Sequence, residues 1–282
     1  MKLTLLGTGT PTPNPLRRGP SQIIESGDEL ILVDCGAGAL HRYVEAGYRG
    51  RRINRIIFTH LHSDHITGLA DVLWASWIGR WNKDGGTPLI SGPPGTTRFV
   101  ERLIEAHDYD IDVRTRPGEG LPREELFPRV EDVDEGWLAE GRDYRISAFR
   151  VDHAPVDKAL GFRIDGAGAS VVVSGDTRYS ENLIAHSQDA DILVHEVYDR
   201  RGLEAASAAA TDPVEQRRFK LVMSYHTAAD EVARAATAAN AHHLVLSHLI
   251  TRGDADWASQ IEPGYKGKLT VGEDLQVFEV GK

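Results

Sequence analysis

The segment 55–78, RIIFTHLHSDHITGLADVLWASWI, leaves this chain few ways to fold. A β-branched run, RIIFT, gives way at once to a helical stretch. Between them stand His60, His62, Asp64 and His65. Four potential ligands within six residues cannot share one strand face, because successive strand side chains alternate. A tight turn at a strand end can aim them at two adjacent points. Imidazole and carboxylate suit Zn²⁺, which takes about four such ligands at about 2.0–2.2 Å. Further candidates recur at strand ends: His153 after ISAFRVD, Asp176 after VVVSG and His248 after LVLS.

Strands are expected at 2–6, 21–25, 30–34, 55–59, 88–91, 145–151, 160–164, 170–174, 191–195, 244–247 and 275–280. Helices are expected at 38–47, 66–79, 94–107, about 180–187, about 212–220 and 227–240, the last with Thr227 as its N-cap. This alternation means α/β. The halves echo each other: LILVDCG (30–36) matches VVVSGDT (171–177), and IIFTHLHSDH (56–65) matches LVLSHLI (244–250). Two similar βα halves facing each other would bring both sets of polar strand ends to one edge. The chain is read as one domain over 1–282. Residues 108–147 hold twelve acids against six arginines, with Pro117, Pro122 and Pro128, and are expected to be an irregular acidic excursion. Residues 199–222 are a possible lid.

Composition narrows the partners. The 282 residues carry a formal net charge of −10, which argues against a bulk electrostatic grip on nucleic acid without excluding it. The single cysteine, Cys35, allows no internal disulfide and reads as a small buried residue. No apolar run approaches the roughly 20 residues of a membrane span, and the start, MKLTLLGTGTPTPNP, does not read as a signal peptide, so a cytoplasmic protein is expected.

HxHxDH with a later His, a Gly-Asp and a C-terminal strand-end His resembles the metallo-β-lactamase superfamily. The resemblance runs from LGTGTP (6–11) through DCGAG (34–38) to LVLSHL (244–249). HAPVDKALGFRI (153–164), His195-Glu196 and His226-Thr227 resemble the branch of ribonuclease Z, phosphodiesterases and arylsulfatase-like enzymes. The HTPGHTPG-like stretch of glyoxalase- and lactonase-type members is not present. The resemblance implies a four-layer αββα sandwich of two similar βα halves. It implies two divalent ions, Zn first, with Mn or Fe also accepted. His60, His62 and His153 would hold one ion; Asp64, His65 and His248 the other; Asp176 would bridge, leaving room for a bridging hydroxide. Asp64, His226 and Glu196 are the implied catalytic residues, with His226 helping the leaving oxygen depart and Glu196 orienting it. Asp34 is a candidate support for a ligand, and His41, His107, His186, His242 and His243 read as bystanders.

The acidic stretch 108–147 lies where a tRNA-processing relative would carry its gripping arm. The expected function is therefore binuclear metal-dependent hydrolysis of a small ester, a phosphodiester or related anionic or aryl ester. The alternatives are a tRNA 3′-processing endoribonuclease, an arylsulfatase or lactone/carboxylic-ester hydrolase, and a non-catalytic metal-bound carrier. A homodimer is open. Trp74, Trp77 and Trp81 share one helix face, as core or as pocket mouth, and Tyr225 and Met223 could form another wall. Arg17, Arg18 and Arg178 are either anion contacts or surface charges.

Overall fold

The computed structural model describes residues 1–79 and 87–281. Its first half contributes strands β1 (Lys2–Gly7), β2 (Ser21–Ser26), β3 (Glu29–Val33), β4 (Arg55–Ile57), β5 (Leu89–Gly92) and β6 (Arg129–Asp132). Then come β7 (Leu138–Glu140), β8 (Tyr144–Arg150), β9 (Leu160–Gly166), β10 (Ala169–Val173), β11 (Ile192–Tyr198), β12 (His243–Ile250), β13 (Lys268–Val271) and β14 (Val277–Glu279). The helices of the first half are α1 (Ala39–Tyr43), α2 (Ser63–Ile66), α3 (Leu69–Gly79), α4 (Thr96–Glu105) and α5 (Asp108–Thr115). Those of the second are α6 (Glu181–His186), α7 (Arg200–Ala209), α8 (Pro213–Tyr225), α9 (Ala229–Ala238) and α10 (Trp257–Ile261).

Two seven-stranded sheets result, ordered β14-β1-β2-β3-β4-β5-β6 and β13-β12-β11-β10-β9-β8-β7. Alternation along the strands explains the layers. Ile31 and Val33 of β3 face Val171 and Val173 of β10 in a core between the sheets, while Leu30 and Leu32 face outward under Tyr43, Leu73 and Trp77. On the other sheet Val172, Leu193 and Leu244 turn outward under Leu183, Val232 and Ile261. Both faces of these strands are covered, which is why they read as continuous apolar runs. The four-layer αββα sandwich follows.

The halves repeat with one refinement. The pairings β1-β2-β3 are antiparallel and β3-β4-β5-β6 parallel, and β8-β9-β10 and β10-β11-β12-β13 repeat that pattern. The strand after each sixth strand, β7 or β14, joins the other half's sheet, antiparallel to its first strand. The match of β3 with β10 is thus topological. The match of β4 with the His248 strand is not: the counterpart of β4 is β11, which carries His195-Glu196.

Residues 108–147 are more ordered than expected. They hold α5 and the edge strands β6 and β7 before β8 begins. Both edge strands are short and largely exposed, so no apolar alternation marks them. β13 escaped notice because it is only four residues long and has no buried side chain. Trp77 is buried and donates to the Pro122 carbonyl (2.8 Å), and Trp74 donates to Asp110 (2.9 Å). Both tryptophans therefore hold this stretch to the first half; Trp81 lies outside the described residues. Residues 199–222 form α7 and most of α8, packed together through Leu203 and Phe219. Among the described residues no helix is long and apolar enough to cross a membrane.

Candidate metal centre

The motif loop is clamped before it presents any ligand. Cys35 N–H donates to the His65 carbonyl (2.7 Å) and Gly68 N–H to the Cys35 carbonyl (2.8 Å). A Cβ on Gly36 would stand 2.4 Å from the Asp64 carbonyl oxygen, so only glycine lets the loops approach. The expected helix 66–79 is observed as α3, starting at Leu69, with the short α2 before it. In the second half Gly175, at φ +62°, serves the same end: a Cβ there would lie 2.7 Å from the Leu160 carbonyl. His248 arrives by another device. Glu196 pairs with Ser247 and Val197 with Leu249, so His248 is the extra residue of a β-bulge, at φ +47°. Bulges re-aim side chains in this way.

The structure brings all seven expected ligands together. Potential ligand atoms of His60, His62, His153 and Asp176 lie within 4.8 Å of one another, as do those of Asp64, His65 and His248. Asp176 sits between the sets: its Oδ2 is 3.8 Å from Nε2 of His60 and of His153 and 3.4 Å from Nε2 of His248, and its Oδ1 is 3.4 Å from Nε2 of His65. His248 Nε2 is also 3.3 Å from Asp64 Oδ2.

Partners behind the ligands set which nitrogen points inward. His65 Nδ1 is 2.7 Å from Asp34 Oδ2, His60 Nδ1 is 3.1 Å from Thr59 Oγ1, and His153 Nδ1 is 2.9 Å from the Tyr225 carbonyl. Thr59 in turn donates its N–H and hydroxyl to Asp34 (2.8 and 2.9 Å). Asp34, at φ +56°, thus orients two ligand histidines from opposite sides of the loop. With Nδ1 engaged, Nε2 of His60 and of His153 face inward as lone pairs, only 2.9 and 3.3 Å from His62 Nδ1. One proton at most can sit among these three nitrogens, whereas a cation relieves all of them. Nitrogens held tetrahedrally at about 2.0–2.1 Å from one ion lie about 3.3 Å apart, so the spacing fits. His65 Nε2 and Asp176 Oδ1 are buried without a hydrogen-bond partner, which a cation would also satisfy.

The electrostatics agree. Burial holds His60 well below the ordinary histidine range and lowers His62 and His153, keeping them in the neutral form that ligates. Burial also opposes protonation of His65 and His248, but the Asp176 carboxylate outweighs it and raises both, helped by Asp34 at His65 and Asp64 at His248. Asp176 is itself held far down: burial works against its ionisation, and the charges on His248 and His65 overcome that.

Beside the centre opens a cleft of about 630 Å³. Asp64, Asp176 and His248 lie along it, with the loop Thr10–Thr12 on one side and α8 on the other. His226 ends α8 and lines the cleft, its Nδ1 3.3 Å from Glu196 Oε1, close enough for charge attraction but not aligned for a hydrogen bond. Glu196 is pinned by the N–H groups of Thr177 (3.2 Å) and Thr227 (2.9 Å). The Thr227 hydroxyl donates to the Thr177 carbonyl, so Ala228, not Thr227, caps α9. His195 is fully buried and donates to the Glu196 carbonyl (2.6 Å). Tyr225 lines the cleft; Met223 packs instead within α7–α8. Burial pushes the Cys35 thiol up, which leaves it inert. Arg17 is committed to Thr8 and the Gly272 carbonyl (both 2.6 Å) and Arg178 to Asp152. The arginines on the cleft are Arg217 and Arg218, which the sequence reading did not single out. Arg18 lines a smaller adjoining pocket of about 260 Å³ with Ser63 and Asp64.

This fold and this cluster define a metallo-β-lactamase-fold, metal-dependent hydrolase acting on ester bonds. The family model described as Anti-Pycsar protein Apyc1 matches residues 1–245, and the chain belongs to that family. It is 35% identical over 289 residues to Ribonuclease Z of Mycobacterium bovis (strain BCG / Pasteur 1173P2), covering 99% of this chain and 98% of that one. Among solved structures it resembles the metallo-β-lactamase fold protein YhfI from Bacillus subtilis, with TM-score 0.73, 22% identity and 99% of each chain covered. It also resembles the short form of human tRNase Z, with TM-score 0.69, 21% identity and 100% of each chain covered. The curated relative is named for a ribonuclease, so the acidic charge of this chain does not by itself set nucleic acid aside.

Proposed function

We propose that the chain is a binuclear phosphodiesterase acting on a small anionic ester. The observation that supports this most is His226, backed by Glu196, on the wall of a cleft that runs past Asp64, Asp176 and His248. His60, His62 and His153 would hold one ion, Asp64, His65 and His248 a second, and Asp176 both; Zn suits this set, and Mn or Fe fit the same donors. Bound ions would lower the pKa of water toward neutrality and offset charge developing on the substrate. The protein's own residues do the rest. Glu196 occupies the Nδ1 side of His226, so Nε2 is the nitrogen free to pass a proton to the departing oxygen. Burial of Glu196 keeps that pairing out of water.

His226 also lies within 4.8 Å of ligand atoms of Asp176 and His248. A role as proton donor therefore requires that His226→Ala keep its metal content while losing turnover. The second reading, tRNA 3′-processing, is favoured by full-length relatives named Ribonuclease Z. A turnover panel separates the two: bis-aryl phosphodiester, a cyclic nucleoside monophosphate, aryl sulfate, lactone and precursor tRNA. Cleavage of a small phosphodiester is expected; cleavage of precursor tRNA alone would overturn the small-ester reading.

A further inference from the structure

The cleft wall opposite the Thr10–Thr12 loop is one stripe of α8: Val214, Arg217, Arg218, Leu221, Val222 and Tyr225. Their spacing places them on a single helix face. The neighbouring stripe, with Phe219, packs on Leu203 of α7, and Val222 joins that packing, so Val214, Arg217, Arg218 and Leu221 are not needed to hold α8 in place. Val214 and Leu221 nevertheless stand 74% and 49% exposed there. Arg217 and Arg218 are exposed, and neither has an ion-pair partner among the described residues. Nearby arginines differ: Arg200 is paired with Asp230 and Glu231, and Arg178 with Asp152.

Position along the helix decides what the pair can touch. Arg217 and Arg218 precede Tyr225 by eight and seven residues, about 10–12 Å at 1.5 Å per residue. Helical side chains lean toward the N-terminus, away from His226, and the charge on Arg218 reaches no nearer on this helix than Tyr225. They therefore stand away from the scissile group, with the apolar turn of Leu221 and Val222 between.

We propose that Arg217 and Arg218 are specificity residues for a second negative charge on the substrate, carried about 10 Å from the scissile ester on an apolar arm that lies along Leu221 and Val222. This rests on the small-ester reading. The arm fills the exposed stripe, and the two guanidinium groups meet its anionic end.

The test compares two 4-nitrophenyl phosphodiesters that differ only at the far end: a biphenylyl ester and its 4′-carboxybiphenylyl counterpart. Wild type is expected to prefer the carboxylated ester about tenfold in kcat/KM at low salt, and less as salt rises. Arg217→Ala/Arg218→Ala brings that ratio close to one, and Arg217→Lys/Arg218→Lys restores most of it. Damage to α8 as such would lower both substrates together and leave the ratio unchanged. No preference in wild type, or a preference that survives the double alanine variant, overturns the proposal. If neither ester turns over, the small-phosphodiester reading falls. Calorimetry with 4′-carboxybiphenyl phosphonate then decides the arginines alone: the double variant must bind it about tenfold more weakly. A solution dimer that dissociates on Val214→Asp would assign the stripe to a second copy of the chain and would also overturn the proposal.

Discussion

On one side of the cleft, His60 and His65 are fixed at Nδ1 by the buried Thr59 and Asp34, and His153 by the Tyr225 carbonyl. On the other, α8 offers Val214, Leu221 and two unpaired arginines to solvent. The first region tolerates no slack, because ligand atoms must meet within a few tenths of an ångström. Its parts come from the ends of central strands in both sheets, held by bulges, glycine contacts and backbone hydrogen bonds. The second hangs on a helix pair with its own small apolar cluster, so its outward face is free to vary without disturbing the chemistry. Reaction type and substrate choice thereby fall largely on different elements, and α8 joins them only at its C-terminal end, where the Tyr225 carbonyl holds His153 and His226 follows.

Substitutions can break that division or sharpen it. Asp176→Ala removes the one carboxylate near both ligand sets, so turnover is expected to fall at least 10³-fold and metal content to drop, read by metal analysis and rate together. Chelation should do the same reversibly, with Zn or Mn restoring activity. His226→Ala is expected to cost about 10²–10⁴-fold in kcat while metal content stays put. If metal is lost in step with rate, His226 is a ligand and the boundary between the two regions moves. Asp34→Asn keeps a residue that accepts positive φ but weakens the hold on His65 and Thr59. Metal affinity should fall about 10–100-fold, seen by competition with a chelator. Leu221→Ala, on the other wall, should raise KM for an aryl ester about 3–10-fold with no change in metal content, since it removes only apolar contact.

The smallest effect lies far from the cleft. His243 packs against Phe278, its Nε2 2.8 Å from Thr270, and burial lowers its pKa to about 4 with Lys268 adding to the shift. The unfolded chain would bind this proton at about 6.5, so the stability it contributes is present above that pH and is lost as pH falls toward 4. His243→Leu should flatten the decline in melting temperature across that window; an unchanged slope would show that other groups dominate it.

Much of the centre was legible because its signals are local. His60, His62, Asp64 and His65 share one turn, and Asp176 and His248 each follow an unmistakable buried strand. Asp34 could be suspected from its place in DCG, but its double hold on His65 and Thr59 needs the loop contact at Gly36. The edge strands β6, β7 and β13 were missed because strands of three or four residues with no buried side chain show no apolar period to detect. Arg17 and Arg178 looked available in sequence, yet the structure turns them to Thr8, Gly272 and Asp152.

The sequence alone therefore determined an α/β fold and, through its resemblance to the metallo-β-lactamase superfamily, implied the layers and the chemical kind of the site. Hydrophobic periodicity records burial residue by residue, and ligand residues at strand ends record the donor set. Only the tertiary structure decided that β4 corresponds to β11 rather than β12, that a bulge turns His248 inward, and that Arg217 and Arg218 are the unpaired cations on the cleft. Those facts depend on strand order, register and the partners a side chain finds across space, and no local pattern of residues encodes them.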